Sequence, residues 1–294
     1  MQRHPSPTGR PDSNRGFTVP ELLVATAVVF LLTTTLTIPL LDQREAARRQ
    51  LCHANAKALG VAVHDYRVAR GRFPINPDRN LVPFLATEEP VLEGRQQRLG
   101  SLRCPSDDLA WAKPYAFNYA WNIGPGFSGG GKGFLPDELC PSFTLADFPD
   151  GISQTAAASE TLVFDIDSPE NRRKLWVVSR RYPREGERHV RIEDRLQFQH
   201  ECLHVPLDDD HESYSHRGTE SGHEEWYNHL LTPNQPSCES GGMSQFICYT
   251  ANSDHPGGVH LLLVDGSVRF ISDTIDAEVW SALSTRAGSE MIKW

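Results

Sequence analysis

Three groups of side chains in this 294-residue chain could do chemistry. The first is a polar stretch carrying His200, His204, His211, His216, His223 and His229, with Asp208, Asp209, Asp210, Glu224 and Glu225. His200 and His204 stand four apart and could share one helix face as zinc ligands do, while the three aspartates could offer oxygens to calcium. No H-E-x-x-H occurs there, and a solvated polar loop accounts for the composition, so no metal ligand is assigned. The second group is His255 with Asp265 and Gly266. Asp-Gly between apolar runs is a turn signal, which gives His255 a structural place near a hairpin base rather than a catalytic one. The third comprises Cys52, Cys104, Cys140, Cys202, Cys238 and Cys248, with no C-x-x-C pair. That spread favours disulfides in an oxidising compartment over a zinc site, and no pairing is assigned.

Other motifs carry less. GFSGG at 126–130 fits G-x-S-x-G, and GFSGGGKG nearly fits a phosphate loop. Both need a helix immediately after, which KGFLPDELCP does not start, and Gly133 stands where the phosphate loop needs Ser or Thr. Trp111, Tyr115, Tyr119 and Trp121 could form a glycan or ligand surface, although aromatics at such spacing usually serve a core. The reading is therefore of a chain with no catalytic residue, no metal and no cofactor. Its formal net charge of -9 makes it a poor nucleic-acid binder.

The elements that must position these residues begin with an apolar run from Phe17 to Leu41, in which Glu21 is the only charge. A run of this length satisfies the roughly 20 residues of a bilayer-crossing helix and exceeds a signal-peptide core. Lys and Arg counts on its two sides do not decide its orientation. Leu51, Ala58, Leu59, Ala62, Val63 and Tyr66 then recur at helical spacing, so the helix continues to a stop at Gly71, with a kink at Pro39.

Beyond Gly71 the sequence alternates short apolar runs with Pro, Gly, Asn and Asp, as strands and long loops do. Residues 200–245 lack periodicity and read as an irregular excursion. GGVHLLLVDGSVRFIS predicts a hairpin with a type I′ turn at Asp265-Gly266, and TIDAEVWSALSTRAG a terminal helix capped at Gly288.

A basic leader ending in Gly16, then Phe17, then Glu21, then unbroken apolar sequence resembles the bacterial prepilin class of type IV pilins and type II secretion pseudopilins. The resemblance implies cleavage after Gly16 by a prepilin peptidase, N-methylation of Phe17, and an assembly role for Glu21. A carboxylate in an apolar region is costly and needs a partner, such as the free amino group of Phe17 in the same or a neighbouring helix.

A second resemblance covers most of the chain. The blocks REAARRQLCHANAKALGVAVHDYRVARGRFP, LRCPSDD, DFPDGISQTAAASE and HPGGVHLLLVDGSVRFISDTID are similar to a bacterial prepilin-like family of unknown function. It is marked by a C-terminal H-x9-D-G pattern, here His255, Asp265 and Gly266. Pro20 before Glu21, a shortened middle and the His-rich stretch depart from the family pattern. Together the resemblances imply an α+β, pilin-like fold: a long N-terminal transmembrane helix packed on a small antiparallel β-sheet head with long loops. The expected parts are a leader at 1–16, a transmembrane helix at 17–41, its continuation at 42–71 and an extracytoplasmic head at 72–294. The expected function is that of a pilin-like subunit in the inner membrane, assembling with other pilin-like subunits through its helix. The alternative is a membrane-anchored extracytoplasmic hydrolase or metal- or ligand-binding protein.

Overall fold

In the computed structural model the described residues are 18–85, 102–112, 118–126, 132–136, 142–165, 173–178, 192–208, 211, 226–240 and 246–289, without the side chains of 34–42 and 192. The chain forms two compact units, Met1–Ala46 and Ala47–Trp294.

Helix α1 runs Val19–Arg70 and crosses from the first unit into the second. It ends where the sequence predicts: Gly71 adopts φ 74° and its N–H donates to the Arg67 carbonyl at 2.8 Å, a left-handed cap that any Cβ would strain. The transmembrane reading of 17–41 is corrected. Among the described residues no helix is long and apolar enough to cross a membrane.

The buried stripe of α1 matches the expected one in its later turns. Leu59, Ala62, Val63 and Tyr66 are buried as predicted, but Leu51 and Ala58 are exposed, and the stripe reaches back instead through Ala56 and Cys52. Cys52, Ala56, Leu59 and Val63 keep the i, i+3, i+4 rhythm of one helix face.

The head also departs from one small antiparallel sheet. Strands β1 (Tyr119–Asn122), β2 (Ala156–Glu160), β4 (Trp226–Tyr227), β7 (Gly258–Leu263) and β8 (Val268–Ser272) form a five-stranded sheet in the order β4-β1-β2-β7-β8, with β4 parallel to β1 and the other pairs antiparallel. A second sheet joins β3 (Leu175–Val178) parallel to β5 (Ser237–Ser240), which pairs antiparallel with β6 (Ile247–Cys248). Short helices α2 (Pro77–Asn80) and α3 (Asp108–Ala112) lie between α1 and β1, and α4 (Ile192–Leu203) lies between β3 and β4. Within the stretch read as an irregular excursion, the described residues thus include the end of α4, β4 and β5. Cys202 of α4 and Cys238 of β5 form a disulfide.

Both faces of the large sheet are covered, which is why β7 is buried at every position. Tyr119, Trp121, Ala158 and Leu262 join the α1 side chains in one core. Ala120, Leu261 and Leu263 point the other way, into a core with Trp280 and Leu283 of α5 (Ala277–Leu283). Helix α5 starts at the Asp276 cap, whose carboxylate accepts from the Glu278 and Val279 N–H groups, and ends before the expected Gly288.

The β7–β8 hairpin is present at Asp265-Gly266, but not through a type I′ turn, which would need positive φ at both residues. Only Gly266 is left-handed, at 81°. Its N–H donates to the Leu263 carbonyl, and Asp265 Oδ1 accepts from Ser267 N and Oγ at 2.8 and 2.6 Å. This is the longer loop, a three-residue turn closed by a left-handed glycine. It meets α1 directly: Lys57 Nζ donates to the Gly266 carbonyl at 2.6 Å, and Gly60 faces the turn.

Candidate metal centre

The α1-facing side of the large sheet carries more than apolar residues. Glu160 follows Ala158 by two along β2 and His260 precedes Leu262 by two along β7, so both project toward α1. On the helix, Cys52 lies one turn before Ala56. Cys104 and His255 reach the same place from the loops before α3 and β7. Cys52, Cys104, Glu160 and His255 are all at most 3% exposed. One ligand atom from each lies within 4.8 Å of the others, the single such group among the described residues.

The distances show how they face one another. Cys52 Sγ donates to Cys104 Sγ at 2.8 Å, Cys104 Sγ is 3.5 Å from His255 Nε2, and His255 Nε2 is 3.7 Å from Glu160 Oε1. Glu160 is held from behind by His260, whose backbone N–H donates to Oε2 at 2.8 Å and whose Nδ1 is 3.1 Å from Oε1. The Tyr119 hydroxyl donates to the Cys52 carbonyl at 2.7 Å.

A buried polar network sets the two loops. Cys104 N–H donates to Asn118 Oδ1 at 2.7 Å, and Asn118 Nδ2 donates to Asp107 Oδ2 at 2.6 Å. Asp107 pairs with Arg173 at 2.7 Å, and Arg173 pairs in turn with Asp254, the neighbour of His255. Asp107 and Arg173 are almost wholly buried, so each charge depends on the other.

The electrostatics divide the two thiols. The hydrogen bond from Cys52 brings the Cys104 thiol below its ordinary value against the effect of burial, and His255 assists. Donating that bond, together with burial and the nearby Glu160 charge, pushes Cys52 up. Burial opposes ionisation of Glu160, but His260 and His255 outweigh it and hold the carboxyl below its usual range. Two sulfurs, an imidazole and a carboxylate converging in a dry site are a donor set suited to a borderline-soft divalent cation.

Of the residues singled out from sequence, Cys52, Cys104 and His255 come together in this cluster and the others fall elsewhere. His255 is in this cluster, ahead of the hairpin base. Asp265 and Gly266 build the turn against α1. Glu21 accepts from Thr18 N at 2.9 Å and Thr18 Oγ1 at 2.8 Å, the carboxylate half of a capping box at the start of α1 that the sequence reading passed over. His200 and His204 stack at 4.2 Å, with His204 Nδ1 bonded to the His200 carbonyl, and His211 pairs with Asp208. His229 is buried far along the chain from them, with its ring stacked 3.8 Å from that of Trp280. Tyr119 and Trp121 are core residues, and Trp111 is exposed. Gly16, Phe17, Tyr115, Ser128, Cys140, Asp209, Asp210, His216, His223, Glu224 and Glu225 lie outside the described residues.

Cys52, Cys104 and Glu160 were missed as a site because their separations in sequence match no metal motif. A signal was nevertheless present: each of the four sequence blocks that carry the family resemblance supplies one residue of the cluster. A protein-family model described as "Protein of unknown function (DUF1559)" matches residues 42–81 and 77–278, which include all four. No curated protein and no solved structure matches the chain. The matched residues begin after Gly16, Phe17 and Glu21, so the match lends nothing to the prepilin cleavage motif.

Proposed function

The chain belongs to this family, whose description names no activity, and we propose that it is a non-catalytic, pilin-like assembly subunit that packs with similar subunits through the first turns of α1. The observation that carries the reading is the exposure of Val19, Leu22, Leu23, Val24, Val28 and Val29, each about half or more exposed on a helix whose later turns are buried in the head. Apolar side chains in such density favour burial against another surface, and helices of like sequence offer a matching one. In this reading a prepilin peptidase of the inner membrane cleaves after Gly16 and Phe17 becomes the methylated first residue. The head is extracytoplasmic, in keeping with the Cys202–Cys238 disulfide.

Intact and N-terminal peptide mass spectrometry on protein from its native cells tests this. The expected product begins at Phe17 and carries one added methyl group. A chain that retains residues 1–16 would sink the proposal. Position-specific photo-crosslinking from Val28 adds a direct readout, the expected product being a dimer of this chain.

A further inference from the structure

Beyond assembly, we infer that Cys52, Cys104, Glu160 and His255 bind one zinc ion, which clamps α1 to the head. Four separate segments supply the donors: α1, the loop before α3, the end of β2 and the loop before β7. Zinc bonds of about 2.3 Å to sulfur and about 2.0 to 2.2 Å to nitrogen or oxygen require donor-to-donor edges of roughly 3.3 to 3.8 Å in a tetrahedron. The 3.5 Å from Cys104 to His255 and the 3.7 Å from His255 to Glu160 already lie in that range. The two sulfurs, at 2.8 Å, need to open by about 1 Å.

The chemistry of the donors selects the metal. Calcium and magnesium take oxygen ligands, and only one is a carboxylate here; thiolates with imidazole and a single carboxylate suit zinc. The supporting contacts are those a metal site needs. His260 orients Glu160 through two contacts, Asn118 holds the Cys104 backbone, and Tyr119 holds that of Cys52. With four protein donors and no exposed side, the coordination shell is closed, which makes the zinc structural.

The competing arrangement is a Cys52–Cys104 disulfide. It would use two of the four donors and leave the convergence of His255 and Glu160 on the same point without a purpose.

The test uses the full chain, purified reduced, stripped with a chelator and dialysed against micromolar zinc sulfate. Elemental analysis is expected to find one zinc per chain in the wild type and at least a tenfold loss of affinity in Cys104→Ser and Glu160→Gln. Cobalt substitution in the wild type is expected to give thiolate-to-cobalt charge-transfer absorption, a readout independent of how the variants fold. The inference is overturned if the folded, reduced wild type takes up neither metal. It is equally overturned if peptide mapping of unreduced protein from its native cells finds Cys52 bonded to Cys104. Neither outcome bears on processing at Gly16, so this inference and the assembly reading fail separately.

Discussion

Glu160 and His260 meet twice across the β2–β7 pair: the carboxylate accepts the His260 backbone N–H through Oε2 and faces its Nδ1 through Oε1. One carboxylate thereby joins the sheet's own hydrogen bonding to the cluster beneath α1. Removing its charge leaves the imidazoles of His255 and His260 without their anionic partner in a dry place. Glu160→Gln is expected to lower the unfolding free energy by about 2 to 4 kcal/mol, as the loss of one member of a buried pair does. Urea denaturation of the metal-free chain measures it, and a change below about 0.5 kcal/mol would show that the pair is energetically idle.

Arg173 stands between Asp107 and Asp254 with its guanidinium almost wholly buried. Arg173→Met keeps the apolar stem and removes the charge. The expected cost is about 3 to 5 kcal/mol, because both carboxylates lose a buried partner. Asp107→Asn in the same background should recover part of that loss, and the double-mutant cycle reads the coupling. Additive effects would mean that the two residues act independently.

Gly60 and Gly71 make opposite demands of the same helix. A Cβ on Gly60 would lie 2.9 Å from Leu262 Cδ1 and 3.0 Å from the Gly266 Cα, whereas one on Gly71 meets nothing within 4 Å. Gly60→Ala gains about 1 kcal/mol in helix propensity but must push the hairpin turn away from α1, so a net loss of about 1 to 2 kcal/mol is expected. Gly71→Ala is expected to cost about 1 kcal/mol through left-handed strain alone. Thermal unfolding of the two variants separates packing from backbone conformation, and a stabilised Gly60→Ala would refute the close approach.

His229 gives a pH dependence with a definite sign. Burial lowers its pKa from 6.5 to about 3, partly offset by the bond from Nδ1 to the Trp280 carbonyl, with the Tyr227 hydroxyl on Nε2. The folded chain holds this imidazole neutral while the unfolded chain protonates it. Its stabilising contribution is therefore complete above pH 6.5 and is lost as pH falls toward 3, at up to about 1.4 kcal/mol per pH unit. His229→Gln should flatten the decline in unfolding free energy between pH 6.5 and 4. Parallel wild-type and variant curves would assign the acid sensitivity to other groups.

Glu21 has a local task at the start of α1, where it accepts from Thr18. Glu21→Ala removes that acceptor and, in the assembly reading, the partner of the processed amino terminus. The head should be unaffected, with unchanged thermal unfolding, while co-purification with wild-type subunits falls. Glu21→Gln retains the hydrogen-bond acceptor and not the charge, so the two variants distinguish capping from charge pairing.

By itself the sequence determined the local features of this protein, because local signals need only neighbouring residues. The end of α1 followed from Gly71, the hairpin from Asp265-Gly266, and the terminal helix from the stretch TIDAEVWSALSTRAG, although it ends before Gly288. The stripe of α1 was legible from Leu59 to Tyr66 but not a turn or two earlier, since Leu51 and Cys52 are equally acceptable to a helix and only packing in the head chooses between them. The five-strand order, with β4 added parallel to β1, and the separate β3-β5-β6 sheet were decided by long-range pairing. The metal cluster was decided in the same way. Cys52, Cys104, Glu160 and His255 are scattered over 204 positions, from residue 52 to residue 255 counted inclusively, and their donor atoms approach within 4.8 Å only when α1 lies on the sheet. Convergence of that kind is a property of tertiary packing, whose free energy comes from the apolar residues around the site and not from the donors themselves.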